Sequence, residues 1–204
     1  DNNYSPTQEV EMLVLKAKKL LSEGKYLDSK DCFTKALKII EKEENKDKLA
    51  QVYLTVGKIY GEMGDNEKLL QYSEKVYDLK KSDSDEYMMD SLFNIIESYI
   101  DSNNFEQAKK YSKLALAAAI KTKSKYDEFR ALKYYCDIYK YKGETEISIE
   151  YLLKCIDIVS ALDKEEVLGN LYIELGQLYS GISKDKELEC YQKGVTIFKN
   201  LEII

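Results

Sequence analysis

Arg130 is the only arginine in this chain, and it stands three residues before Lys133 and ten before Lys140. On a helix the three would form a local basic strip in a protein whose net charge is −6. Such a strip could hold a carboxylate, with the planar guanidinium of Arg130 able to bind it bidentately. Asn94 and Asn170 each offer a donor and an acceptor, which is what an extended peptide backbone requires. The competing reading is an ordinary solvated helix face, with i,i+4 pairs such as Arg130 with Tyr134 and Lys133 with Asp137.

Other chemistry is poorly served. There is no histidine, so the usual general base and nucleophile partner is missing. Cys32, Cys136, Cys155 and Cys190 are widely spaced, with no CxxC pair. They read as reduced core residues of a cytoplasmic protein, and no metal or other cofactor is expected. No nucleophile–base pair or glycine-rich phosphate loop is present, so the segment is not expected to be an enzyme. The charge balance of 31 basic and 37 acidic residues argues against bulk attraction to nucleic acid. No 18-residue apolar run could span a membrane.

The elements that would carry these residues are helices. One proline and nine glycines in 204 residues suit a nearly all-helical chain. Ser5, Pro6 and Gln8 spell a capped helix start. Asn104 with Gln107, Ser124 with Asp127 and Asp163 with Glu166 suggest three more. The Ser82–Asp85 cluster marks a helix break, and Gly24, Gly64 and Gly143 mark turns.

One spacing recurs along the chain. Tyr60, Tyr99, Tyr139 and Tyr179 follow at intervals of 39, 40 and 40 residues, with Leu20 earlier. Tyr72, Tyr111, Tyr151 and Tyr191 show the same intervals, with Cys32 earlier. Gly57, Ile96, Cys136 and Gly176 form a third column headed by Ala17, read as the place of closest helix approach. These columns are read as scaffold packing.

In the stretch Val52–Leu69, Tyr53, Val56, Gly57, Tyr60 and the Gly64-Asp65 break resemble the tetratricopeptide repeat (TPR) family. Tyr172, Leu175, Gly176 and Tyr179 repeat the pattern. The resemblance implies an all-α fold, a right-handed superhelix of about five helix-turn-helix repeats in a single domain. Their expected limits are 6–44, 45–83, 84–123, 124–162 and 163–204. The 40-residue period exceeds the basic 34, and with no proline to stop them, longer helices are expected. Repeat three departs from the pattern, with Ile96 where a small residue is usual.

Extended arrays of this kind resemble the C-terminal domains of the RNPP group of bacterial peptide-pheromone receptors; kinesin light chains also have long repeats. The lysine-rich composition tilts the reading towards a bacterial quorum-sensing transcriptional regulator whose N-terminal domain precedes Asp1. A constitutive protein–protein adaptor is the alternative. The resemblance places the concave, ligand-binding face on the first helix of each repeat. The expected peptide-binding residues are Thr55 and Lys58 in repeat two, then Phe93, Asn94 and Glu97 in repeat three. Repeat four adds Arg130, Lys133, Tyr134 and Asp137; repeat five adds Asn170, Ile173, Glu174 and Gln177. Asparagines hold the peptide backbone in those receptors, and Asn94 is at a matching place; Thr55, Tyr134 and Glu174 leave the ladder incomplete. A peptide with at least one acidic group is the expected partner. The apolar end at Leu201, Ile203 and Ile204 predicts either a further helix or a homodimer through the C-terminal helices.

Overall fold

The computed structural model describes residues 4–83 and 85–202. Those residues form ten α-helices and no strand. Five are the first helices of a pair: α1 (Pro6–Ser22), α3 (Lys46–Glu62), α5 (Glu86–Asp101), α7 (Lys125–Tyr141) and α9 (Glu165–Tyr179). Their partners are α2 (Tyr26–Ile40), α4 (Asn66–Lys80), α6 (Phe105–Thr122), α8 (Thr145–Ser160) and α10 (Lys184–Asn200). The first helices begin at 6, 46, 86, 125 and 165, so the period of the tyrosine columns is the period of the helices. Ile203, Ile204, Ser84 and the first three residues lie outside the described residues.

The chain divides into two compact units, Asp1–Ser102 and Asn103–Ile204. In the first, Phe33, Ala36, Ile40, Val56 and Val76 are fully buried. In the second, Cys136, Leu152, Cys155 and Val159 are. All four cysteines are buried and free.

Helix starts follow the capping logic of the sequence in most places. Ser5 and Gln8 complete a reciprocal capping box, with Pro6 in the first turn. Asn104 accepts from the Gln107 amide and Ser124 from that of Asp127. Repeat five corrects the expectation. Its cap is Lys164, with no side-chain cap bond, and α9 begins at Glu165. The Lys164 amide is bonded back to the Leu162 carbonyl in the preceding turn. That turn delays helix entry by one residue, and Asp163 falls outside the cap position.

The turn within each pair needs one residue in the left-handed region. Gly24, Gly64, Gly143 and Gly181 fill it at φ of 73–81°. In the third pair Asn103 stands there at φ 57°. Asparagine tolerates this conformation better than other side chains do.

The close-approach column is a physical contact. A Cβ on Gly57 would lie 3.3 Å from the Tyr72 Cβ, and one on Gly176 would lie 2.7 Å from the Tyr191 ring. The tyrosine columns meet across the same seam. Tyr60 stacks on Tyr72 with ring centroids 5.8 Å apart in the first unit. Tyr139 stacks on Tyr151 at 5.6 Å in the second. Buried serines add a clasp: Ser29 donates to the Ala17 carbonyl, and Ser148 donates to that of Cys136.

Candidate functional site: a groove on the first helices

In the first unit, α3 touches both α1 and α5. Their facing surfaces enclose an open groove of about 610 Å³. Helix α1 supplies Lys18 and Leu21. Helix α3 supplies Gln51, Leu54, Thr55, Lys58, Ile59 and Glu62. The first turn of α5 adds Glu86 and Tyr87, and the next adds Asp90. The residues from α3 recur at intervals of three and four, so one helical face is turned to the groove. A second hollow of about 270 Å³ shares Lys18, Gln51 and Thr55 with the first. Its apolar walls are Val10, Val14, Leu15 and Val52, with Leu15 66% exposed.

Two of the residues expected from sequence lie in this groove. Thr55 is half-buried and donates its hydroxyl to the Gln51 carbonyl. Lys58 is exposed. Asn94 is four residues beyond Asp90 and seven beyond Tyr87, on the same face of α5. Its Nδ2 is buried without an acceptor among the described residues. Leaving such a donor unpaired costs about 1–3 kcal/mol, a cost that a carbonyl in the groove would recover only if the Asn94 side chain turned outward to meet it. Glu97 is exposed one turn further on. Phe93 corrects the expectation. It is 1% exposed and forms part of the core, because its side chain points off the groove face into the packed one.

The second unit overturns the picture of an open basic strip. Lys133 Nζ lies 2.6 Å from Asp137 Oδ1 and 3.1 Å from Glu174 Oε2. Lys140 Nζ lies 3.1 Å from Glu174 Oε1. Arg130 lies 3.7 Å from Asp127. The lysines are therefore already matched by carboxylates of the chain itself, which joins α7 to α9. Burial pushes the Asp137 carboxyl up from its ordinary value even against the nearby ammoniums. Burial pushes Glu174 the same way, but Lys133 and Lys140 outweigh it and hold Glu174 below the usual range. Burial disfavours the Lys133 ammonium, yet Asp137 and Glu174 together raise its pKa.

Cys136 completes this cluster. Its Sγ and the carboxylate oxygens of Asp137 and Glu174 lie within 4.8 Å of one another. Burial pushes the thiol up to about 11, and it shares a 3.3 Å contact with the Ser148 hydroxyl. A metal would have to displace both the thiol proton and the Lys133 ammonium, so the arrangement is an ion-pair network. Tyr134 is half-buried, as is Ile173, which closes on Gly194 of α10. Asn170 and Gln177 are exposed on α9.

The sequence reading missed the contribution of α1. The 40-residue period carries Lys58 back to Lys18 and Thr55 back to Leu15, so the signal was present. Glu62, Glu86 and Tyr87 were less legible, because they sit at a helix end and a helix start rather than mid-face.

Residues 50–83 match the family model described as Tetratricopeptide repeat. No curated protein matches the sequence. Among solved structures, aspartyl phosphate phosphatase F from Bacillus subtilis superposes with a TM-score of 0.86 at 17% identity. The match covers 98% of this chain and 53% of that one. BtubC (BKLC) from P. vanneervenii gives 0.84 at 16% identity, over 95% of this chain and 81% of that one. A Rap protein complexed with Competence and Sporulation Factor gives 0.75 at 16% identity, over 98% and 57%. No helix among the described residues is long and apolar enough to cross a membrane. The stretch 50–83 matches the tetratricopeptide repeat by sequence, and the chain has the all-α helical-repeat fold that these structures share.

Proposed function

We propose that this chain is the ligand-binding part of a bacterial regulator, and that it takes a short extended peptide in the groove of α1, α3 and α5. The observation that carries this reading is the groove itself: an open channel on the first-helix face, with the unmatched Asn94 amide donor on the same face of α5. A peptide carbonyl would satisfy that donor once the Asn94 side chain turned outward, and the Gln51 side chain offers both a donor and an acceptor nearby. The solved complex of a Rap protein with Competence and Sporulation Factor, a likeness in fold, is consistent with this use.

The regulatory part of the proposal is that the peptide shifts the activity of an attached DNA-binding segment in a cytoplasmic, quorum-sensing transcriptional regulator. A ligand can do so only through its differential affinity for two conformations. The single-domain organisation in five repeats belongs to the same proposal.

The test is a capped random heptapeptide library screened against the chain and against Gln51→Trp. Gln51 is exposed, so the indole fills the groove without disturbing the core. Peptide binders that lose affinity in the variant support the reading. A screen without peptide binders, with capture of one folded protein instead, favours the constitutive adaptor.

A further inference from the structure

The charged residues of the first unit are of two kinds. Lys48 pairs with Glu11, and Lys80 pairs with three aspartates. Lys18, Lys58, Glu62 and Glu86 form no ion pair among the described residues. Their placement is also ordered. The α1 wall carries Lys18, and Lys58 stands on α3. Glu62 follows Lys58 by one turn at the α3 C-terminus, and the α5 wall carries Glu86 and Asp90. The apolar hollow of Val10, Val14, Leu15 and Val52 lies between α1 and α3, with no residue of α5 in its lining. The groove thus runs from an apolar and cationic end to an anionic one.

We propose that the groove fixes the direction of its ligand: an extended peptide with an aliphatic side chain and an acidic group toward α1, and a basic group toward α5. This rests on the reading of the groove as a peptide site. The aliphatic side chain enters the hollow beside Leu15, where it covers an exposed leucine and removes apolar surface from water. The acidic group meets the Lys18 and Lys58 ammoniums, and the basic group meets Glu62 and Glu86. Opposite charges set direction because the reversed peptide would place like charges together.

The experiment is the same capped heptapeptide library, sequenced after selection on the parent chain, on Glu62→Lys/Glu86→Lys and on Lys18→Glu/Lys58→Glu. The parent is expected to select peptides with an aliphatic and an acidic residue at one end and Lys or Arg at the other. The glutamate variant should replace the basic preference with an acidic one and leave the other end unchanged. The lysine variant should do the reverse. Each swap should cost a parent-selected peptide about tenfold in affinity, an effect that added salt weakens. All four residues are at the surface, so both variants should melt with the parent. Binders without a charge order, or an order that the swaps leave intact, overturn this inference while the peptide reading stands. The absence of any peptide binder overturns both.

Discussion

The Lys133 ammonium lies 3.1 Å from the Glu174 carboxylate on the next first helix, and this contact decides what the second unit can do. A lysine that sequence alone offers to an incoming carboxylate is already held by one of the chain's own. The positions 40 residues away in either direction, Phe93 and Ile173, are apolar, so Lys133 is the charged exception in an apolar column.

Glu174→Gln tests the contact through pH. Glu174 titrates below its ordinary value in the folded chain, with burial opposed and outweighed by Lys133 and Lys140. A depressed carboxyl contributes stability that is full above its unfolded-state pKa and is lost as the pH falls through the folded one. Removing it should cost about 1–3 kcal/mol near neutral pH, because a half-buried ammonium loses a partner. The cost should shrink once the pH falls below the usual glutamate range. Asp137 has the opposite sign, since burial raises its pKa: its contribution is present below the unfolded value and is lost as the pH rises. Urea midpoints across the acid range for Glu174→Gln and Asp137→Asn should therefore diverge. Parallel curves would count against the assignment.

Replacing the whole network should behave differently from breaking it. Lys133→Leu alone leaves Asp137 and Glu174 facing each other and should destabilise by about 1–3 kcal/mol. Lys133→Leu with Asp137→Asn and Glu174→Gln removes the charges together and should recover most of that loss. Equal loss in the single and triple variants, read by thermal melts, would show that the network contributes more than the desolvation cost of its members.

The third turn should accept a glycine. Asn103 holds a φ of 57° where the other pairs use glycine, so Asn103→Gly should be neutral or stabilising by up to about 1 kcal/mol. A lowered melting temperature would point to a contact of the Asn103 side chain that outweighs backbone strain.

The close-approach column predicts an ordering. Leucine at Gly57 should cost about 1–3 kcal/mol through overpacking against Tyr72 and Leu69. Leucine at Gly176 should cost at least as much, since even a Cβ there would sit 2.7 Å from the Tyr191 ring. Chemical denaturation of the two variants checks the order, and an unchanged midpoint for either would remove it from the contact column.

Lys80 joins α4 to the helix starts around it. Its side chain is 4% exposed, and its Nζ reaches Asp47 at 2.5 Å, Asp85 at 2.7 Å and Asp83 at 2.8 Å. Hydrogen bonds to the three carboxylates keep the ammonium charged far above its ordinary range. Lys80→Met keeps the buried chain length and should still destabilise, by about 1–3 kcal/mol. A neutral result in a thermal melt would mean that the aspartates are served as well by water.

The sequence by itself determined the helical class, the 40-residue register and most of the caps. These follow from local rules. A missing side chain at Gly57, a serine before Pro6 and a tyrosine every 40 residues act through near neighbours on their own helix pair. Only the tertiary structure decided which charges are open to a ligand. The pairing of Lys133 with Glu174 spans 41 residues, and Lys18, Lys58 and Glu86 meet in one groove only when three helices are brought side by side. Coulomb energy depends on distance in space and on burial, and neither is written in the spacing along one helix.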